Sequence, residues 1–396
     1  MMKNLFLLLL LFLFGTISIT AQSETCDCKT DLDFIVDKMK KMPSYKKQIK
    51  GGKTTEFLNT YNRVSAKMQQ PILVEDCYKL LLEQMNLVND VHASLQVNKS
   101  NSAKENINKH PKTSYDISEL TEELSQKDLD DLEGVYNYNK KERIGIYYSE
   151  NKKDLIGVVL ETELEHWQTG DIRFYATHTQ GNKYNFYYYN VDTKIPGFVK
   201  SLSFENGRIW SYKKEGNNLN YEFVDNDVKV ASFSQINKDT QYLYFKTFSN
   251  SKKRELIKFY NDTKDKLTAK NIIVDLRSNS GGNKKFSDSF LQLIKDKNVY
   301  VITNCFAGSN GEQFTLKLLK NKNATHLGQT TRGIIAYGMN YGYNYNTPSG
   351  YFNMTPTDMN FHKYIAYEGK GITPEFQLDF NRDWLEQTLE IIDANK

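Results

Sequence analysis

Ser309 and His92 are the residues whose types and settings could make or break a bond at a carbonyl carbon. Ser309 stands in the run Cys305-Phe306-Ala307-Gly308-Ser309-Asn310-Gly311-Glu312, after the apolar run Val299–Thr303 and before a helical spacing that puts Phe314 and Leu318 on one face. The first N–H groups of a helix are unpaired and lie at the positive end of its dipole. A serine oxygen at such a turn can attack a carbonyl while neighbouring N–H groups hold the oxyanion. Serine is also a favoured N-cap, and capping accounts for Ser309 with no chemistry at all. His92 lies in Asn89-Asp90-Val91-His92-Ala93-Ser94, where a helix striped by Cys77, Leu81, Met85 and Val88 gives way to the alternation Leu95-Gln96-Val97. A neutral imidazole can take a serine's proton. A histidine at such a junction also commonly bonds its own loop.

The elements that must position these groups are legible from spacing. Asn271–Leu276 reads as a strand buried on both faces, ending in a glycine turn. Phe286, Phe290, Leu291 and Ile294 then form one helical stripe. A strand over Tyr242–Phe248 and a helical stretch near Leu256–Leu267 precede them, so an α/β pattern occupies roughly 240–380. From Thr30 to about Val88 the pattern is helical. Thr30 with Asp33 reads as a capping box, Leu32, Ile35 and Met39 share a face, and Pro43 stops the run. A polar connector over 99–131 includes helical turns at Ile117–Leu124. From Leu132 to about Ile236 the period becomes two. Strands are expected at Arg143–Tyr148, Leu155–Leu160, Ile172–Ala176, Tyr184–Tyr189, Arg208–Tyr212, Leu219–Val224 and Val228–Phe233, with a hairpin at Asp225-Asn226-Asp227. The expected fold class is α/β, with an N-terminal helical region and an inserted antiparallel β-domain, a barrel or a sandwich. The corresponding division is 1–21, 22–98, 99–131, 132–236 and 237–396. The tyrosines of the β-domain read as core and cross-strand packing, with carbohydrate or peptide binding as the alternative.

A length of 396 residues exceeds what one core usually supports. The 52 basic and 48 acidic residues are spread along the chain, which argues against a nucleic-acid partner. Residues 1–21, with Lys3 as their only charge and an apolar run Leu5–Phe14, read as a signal peptide cleaved after Ala21. That run is short for a bilayer span of about 20 residues, so an exported chain without a stable membrane anchor is expected. Export permits a disulfide from Cys26 or Cys28 to Cys77. Cys26-Asp27-Cys28 lacks the spacer of common zinc knuckles, and no metal or organic cofactor is expected. Cys305 reads as a small buried hydrophobe. The turn after Asp275 has no P-loop lysine, which argues against phosphate binding.

Asp275-Leu276-Arg277-Ser278-Asn279-Ser280-Gly281-Gly282 resembles the DLRxNxGG turn of the C-terminal processing and tricorn-type serine peptidase superfamily, with Ser280 where glycine is usual. The Ser309 turn, Gly328-Gln329-Thr330-Thr331-Arg332-Gly333 and Glu368-Gly369-Lys370-Gly371-Ile372-Thr373-Pro374-Glu375 follow in the family's order, and Asp90-Val91-His92 resembles its upstream D-x-H. The resemblance covers roughly 30–98 and 240–380. It implies a ClpP- or crotonase-like α/β peptidase core, a polypeptide substrate and no cofactor. In the Ser–Lys branch the base follows the glycine equivalent to Gly333; here that position is Ile334, which cannot accept a proton, so a Ser–Lys dyad is excluded unless another lysine reaches in. The Ser-His-Glu branch matches at Ser309, His92 and Glu368. Its oxyanion donors would be the N–H of Asn310 and one from the turn Gly281–Gly282. The family's peptide-binding PDZ module is matched only faintly, by Trp167-Gln168-Thr169-Gly170-Asp171-Ile172, so a different β-domain is expected. Two other readings stay open. One is a non-catalytic ligand- or peptide-binding protein on the same scaffold; the other is an esterase-like order Ser309, Asp358, His362, with His326 as a further candidate base.

Overall fold

Ile272, Ile273 and Val274 are all fully buried, because the strand Asn271–Asp275 lies inside a six-stranded sheet covered on both faces. A computed structural model of the chain describes residues 25–98, 110–224 and 229–394. The segment 1–21 and the expected hairpin at Asp225-Asn226-Asp227 lie outside the described residues. The sheet runs Ala231–Asn237, Thr240–Phe245, Asn271–Asp275, Asn298–Thr303, Ala324–Gly328, Phe376–Gln377. Its first pair is antiparallel and every later pair is parallel. Parallel neighbours need crossovers. The helices Lys253–Thr263, Lys284–Ile294 and Asn310–Leu318 lie between these strands in the chain and press Leu256, Phe290, Ile294, Phe314 and Leu318 onto one face. Trp384 and Ile392 of the helix Trp384–Ala394 cover the other.

The inserted β-domain is a closed eight-stranded barrel built from Gly134–Tyr138, Glu142–Tyr148, Leu155–Thr162, Ile172–Gln180, Lys183–Tyr189, Pro196–Glu205, Arg208–Ile209 and Tyr212–Lys214. Phe174, Phe186, Phe204, Tyr136 and Tyr184 are buried together in its interior as core. Two expected strands belong elsewhere. Leu219–Val224 is not a strand: Arg277 donates to the carbonyls of Tyr221 (2.5 Å) and Phe223 (3.4 Å), and Asn304 to that of Glu222 (2.8 Å), so core side chains use the groups a ladder would need. The run expected at Val228–Phe233 appears as Ala231–Asn237 and pairs with Thr240–Phe245 of the core sheet, so its partner is not the barrel.

The N-terminal helices Cys28–Lys41, Gly52–Ala66 and Val74–Met85 bury Leu32, Ile35, Met39, Leu81 and Met85 in one cluster. The cap of the first helix is Asp27, which accepts from the Thr30 N–H (3.2 Å) and hydroxyl (2.6 Å); Thr30 lies inside the helix and is not its cap. Ser94–Val97 pairs with Phe352–Thr355, joining this region to a late part of the chain. Cys28 is bonded to Cys77, and Cys26 remains a buried free thiol. The bond spans 49 residues, so loop-closure entropy predicts that Cys77→Ser loses about 4 kcal/mol of stability. Urea denaturation under oxidising conditions checks this; a loss below about 1 kcal/mol would contradict it. Among the described residues no helix is long and apolar enough to cross a membrane.

Candidate active site

Ser309 follows the buried strand Asn298–Thr303 and opens the helix Asn310–Leu318, at the carboxyl ends of the parallel strands. Its φ is positive (φ 55°, ψ −123°), outside the left-handed helical well, and a residue held in so sparsely populated a region bears a cost on the order of 1–3 kcal/mol. Surrounding hydrogen bonds enforce it. Ser309 N–H donates to the Ile334 carbonyl (2.9 Å) and to Glu312 Oε2 (3.1 Å). Glu312 is fully buried and also accepts from Ile334 N–H (2.9 Å), Gly333 N–H (2.7 Å) and the Thr331 hydroxyl (2.6 Å). Four donors fill the lone-pair sites of an ionised carboxylate. Burial pushes the Glu312 pKa up, while these bonds and the Lys183 charge pull it back.

The glycine turn closes over Ser309. Asn279 is buried: its carbonyl accepts from Gly308 N–H (2.9 Å), its Oδ1 from Gly281 N–H (2.8 Å), and its Nδ2 donates to the Phe245 carbonyl (2.7 Å). A Cβ at Gly281 would stand 2.6 Å from Ser309 Cβ and 2.8 Å from Asn310 N, so only glycine lets the two turns approach this closely. Gly281 N–H is thus already committed, and Gly282 packs on the Phe248 backbone, where a Cβ would come within 2.3 Å. Asn310, at the first helical position, has no acceptor for its N–H within the helix. Ser280 avoids positive φ and bonds Thr247 Oγ1 (2.8 Å), so its side chain fits where the resembling turn carries glycine.

Glu368 is 1% exposed and accepts from Val91 N–H (2.8 Å), Ile335 N–H (2.9 Å) and Ala336 N–H (2.7 Å). The segment 334–336 therefore contacts the Ser309 turn through Ile334 and the His92 turn through Glu368. Backbone hydrogen bonds thus tie the Ser309 turn, Glu368 and Val91, the neighbour of His92, to one segment. The side chains of Ser309, His92 and Glu368 do not form a hydrogen-bonded triad: His92 Nδ1 is buried without a partner, both Glu368 oxygens are taken by backbone, and among the described residues no hydrogen bond joins His92 to Ser309. Burial lowers the His92 pKa to about 4, with Asp90 opposing and Arg332 reinforcing the shift. The imidazole is neutral at pH 7, the form a general base requires. The Ile334 side chain packs where a Cβ on Gly308 would come within 2.7 Å of its Cγ2, placing an apolar group beside the serine turn. His326 bonds Thr303 Oγ1 (2.8 Å) inside the core sheet, Asp358 accepts from Asn340 and Tyr341 N–H, and the His362 ring packs against Tyr337; none of the three bonds Ser309 among the described residues. Cys26, Asp31 and Cys77 each bring a donor atom within 4.8 Å of the others, but the Cys77 sulfur is in the disulfide, which leaves two candidate metal donors.

The barrel clamps this site. Lys183 donates to the Thr331 carbonyl (2.9 Å), Lys200 to that of Asp90 (3.1 Å), and Ser201 Oγ bonds the carbonyls of Arg332 (3.1 Å) and Gly369 (3.0 Å). Burial pushes both lysine pKa values down. Sequence spacing gives no signal for Lys183, Lys200 or Ser201, whose partners are distant in the chain. Glu312 does carry one, since Ser309-x-x-Glu312 has the form of a capping box.

Burial raises the Glu368 pKa from 4.5 to about 7. A raised carboxylate pKa contributes stability that is fully present below 4.5 and is lost as pH rises through 7. Going from pH 4 to pH 8, wild type should lose about 3 kcal/mol more stability than Glu368→Gln, which carries no proton to lose. Paired urea titrations at the two pH values measure the difference, and an equal loss in both proteins would contradict it.

No family model matches the chain, and no curated protein matches it. Solved structures that it resembles include mature CPAF (TM-score 0.45, 10% identity, 92% of this chain and 96% of that one). The photosystem II D1 C-terminal processing protease gives 0.42 and 10%, over 92% and 97% of the two chains. The tricorn protease gives 0.41 and 12%, over 93% of this chain and 36% of that one. Identities and scores at this level are too low to carry residue roles from one chain to another.

Proposed function

We propose that the chain is an exported serine peptidase acting on polypeptides, with Ser309 as nucleophile and His92 as general base. The observation that carries this reading is the strained backbone of Ser309, a non-glycine residue held at positive φ at a helix start beneath a glycine turn that a single methyl would displace. His92 would take the hydroxyl proton as Ser309 Oγ attacks the scissile carbonyl, and later give it to the leaving amine. Apo hydrogen bonds of this kind are often long and tighten when substrate binds. Asn310 N–H would hold the oxyanion, with Gly282 as the second donor because Gly281 N–H is committed to Asn279. Glu368 would act by holding the Val91–His92 turn and, when ionised, by favouring the imidazolium.

Labelling with a fluorophosphonate tests this. Wild type should label at a single serine, and His92→Ala should slow labelling at least about 100-fold with the fold intact. An unlabelled but folded wild type would favour a binding protein on this scaffold, a reading that the unpartnered His92 Nδ1 supports.

A further inference from the structure

The barrel carries a cavity of its own. It measures about 250 Å³ and is walled by Phe174, Phe186, Tyr188, Trp210 and Tyr212, with Arg173 as the cation and Asp192 as the carboxylate of its lining. Trp210 stands at the rim, 37% exposed, with a left-handed backbone (φ 49°) and its ring edge-on to Tyr188 at 4.9 Å. A strained aromatic at a cavity mouth points to use. Arg173 is 3% exposed and lies over the Trp167 ring at 4.1 Å. It forms a buried ion pair with Glu142, donating from Nε (3.1 Å), and donates from one terminal nitrogen to the Tyr189 carbonyl, so what it has left for a ligand is a hydrogen-bond donor. Its other terminal nitrogen has no acceptor among the described residues, and Glu142 Oε1 is buried without a donor.

Aromatic walls favour a flat ring, and an uncommitted guanidinium N–H favours a carboxylate. The volume equals the share of roughly eight waters at ~30 Å³ each, enough for one or two fused rings. The site is remote from Ser309. Lys183, which bonds Thr331, and Tyr189, which lines the cavity, are opposite ends of one strand and about 20 Å apart at extended spacing.

We propose that the barrel mouth is a binding site for a small aromatic carboxylate, its ring between the aromatic walls and its carboxylate on Arg173. Isothermal titration of the whole protein with 2-naphthoate tests this. Expected are saturable one-to-one binding, at least tenfold weaker binding of 2-naphthalenemethanol, and at least tenfold weaker 2-naphthoate binding to Ser211→Trp, whose ring would enter the cavity from an exposed rim position. If Ser211→Trp does not fold, Trp210→Ala replaces it and should bind several-fold more weakly than wild type. No saturation into the millimolar range, equal binding of the two naphthalenes, or undiminished binding to the folded variant would overturn the proposal. The readout involves no hydrolysis, so failure of the peptidase reading leaves it standing.

Discussion

Ser309→Ala should abolish both fluorophosphonate labelling and cleavage of an unfolded protein substrate, with the cleavage rate falling by about 10⁶-fold, towards background. The size of the effect follows from removing the only atom that would form the acyl bond, which positioning and oxyanion donors cannot replace. Ser309→Gly should be equally inactive yet more stable than wild type by about 1 kcal/mol, because glycine adopts φ 55° without the steric cost that serine bears. The two variants together separate chemistry from capping. If Ser309 served as a helix cap alone, Ser309→Ala would cost about 1 kcal/mol of stability and leave any hydrolysis intact. An active Ser309→Ala, or a Ser309→Gly less stable than wild type, would sink the assignment.

Glu312→Ala should be among the most destabilising single changes in the core, at more than about 3 kcal/mol. Four donors, from Ser309, Thr331, Gly333 and Ile334, would lose their acceptor in a site that water cannot readily enter. The damage should also reach function, since Glu312 ties the Ser309 turn to the segment that leads on to Glu368. Glu312→Gln keeps the shape but turns an amide N–H₂ towards backbone donors, so an intermediate loss is expected. Urea midpoints at constant m-value measure the series. A Glu312→Ala protein within about 1 kcal/mol of wild type would mean that the four donors find other partners.

Spacing in the chain by itself determined what is local. Ile272–Val274 as a buried strand, the Phe290 and Ile294 stripe and the turn that presents Ser309 are all set by period, side-chain type and glycine placement within a dozen residues. Tertiary structure decided the rest. Leu219–Val224 alternates like a strand, yet its carbonyls are claimed by Arg277 and Asn304; Ala231–Asn237 follows the barrel in sequence but pairs with the core. The Glu368 contact to Val91 closes 277 residues, and Lys183 reaches Thr331 across 148. A period reports which face of an element is apolar but not which partner covers it. That choice depends on whether a distant contact regains the entropy of closing its loop, a sum that only the whole fold evaluates.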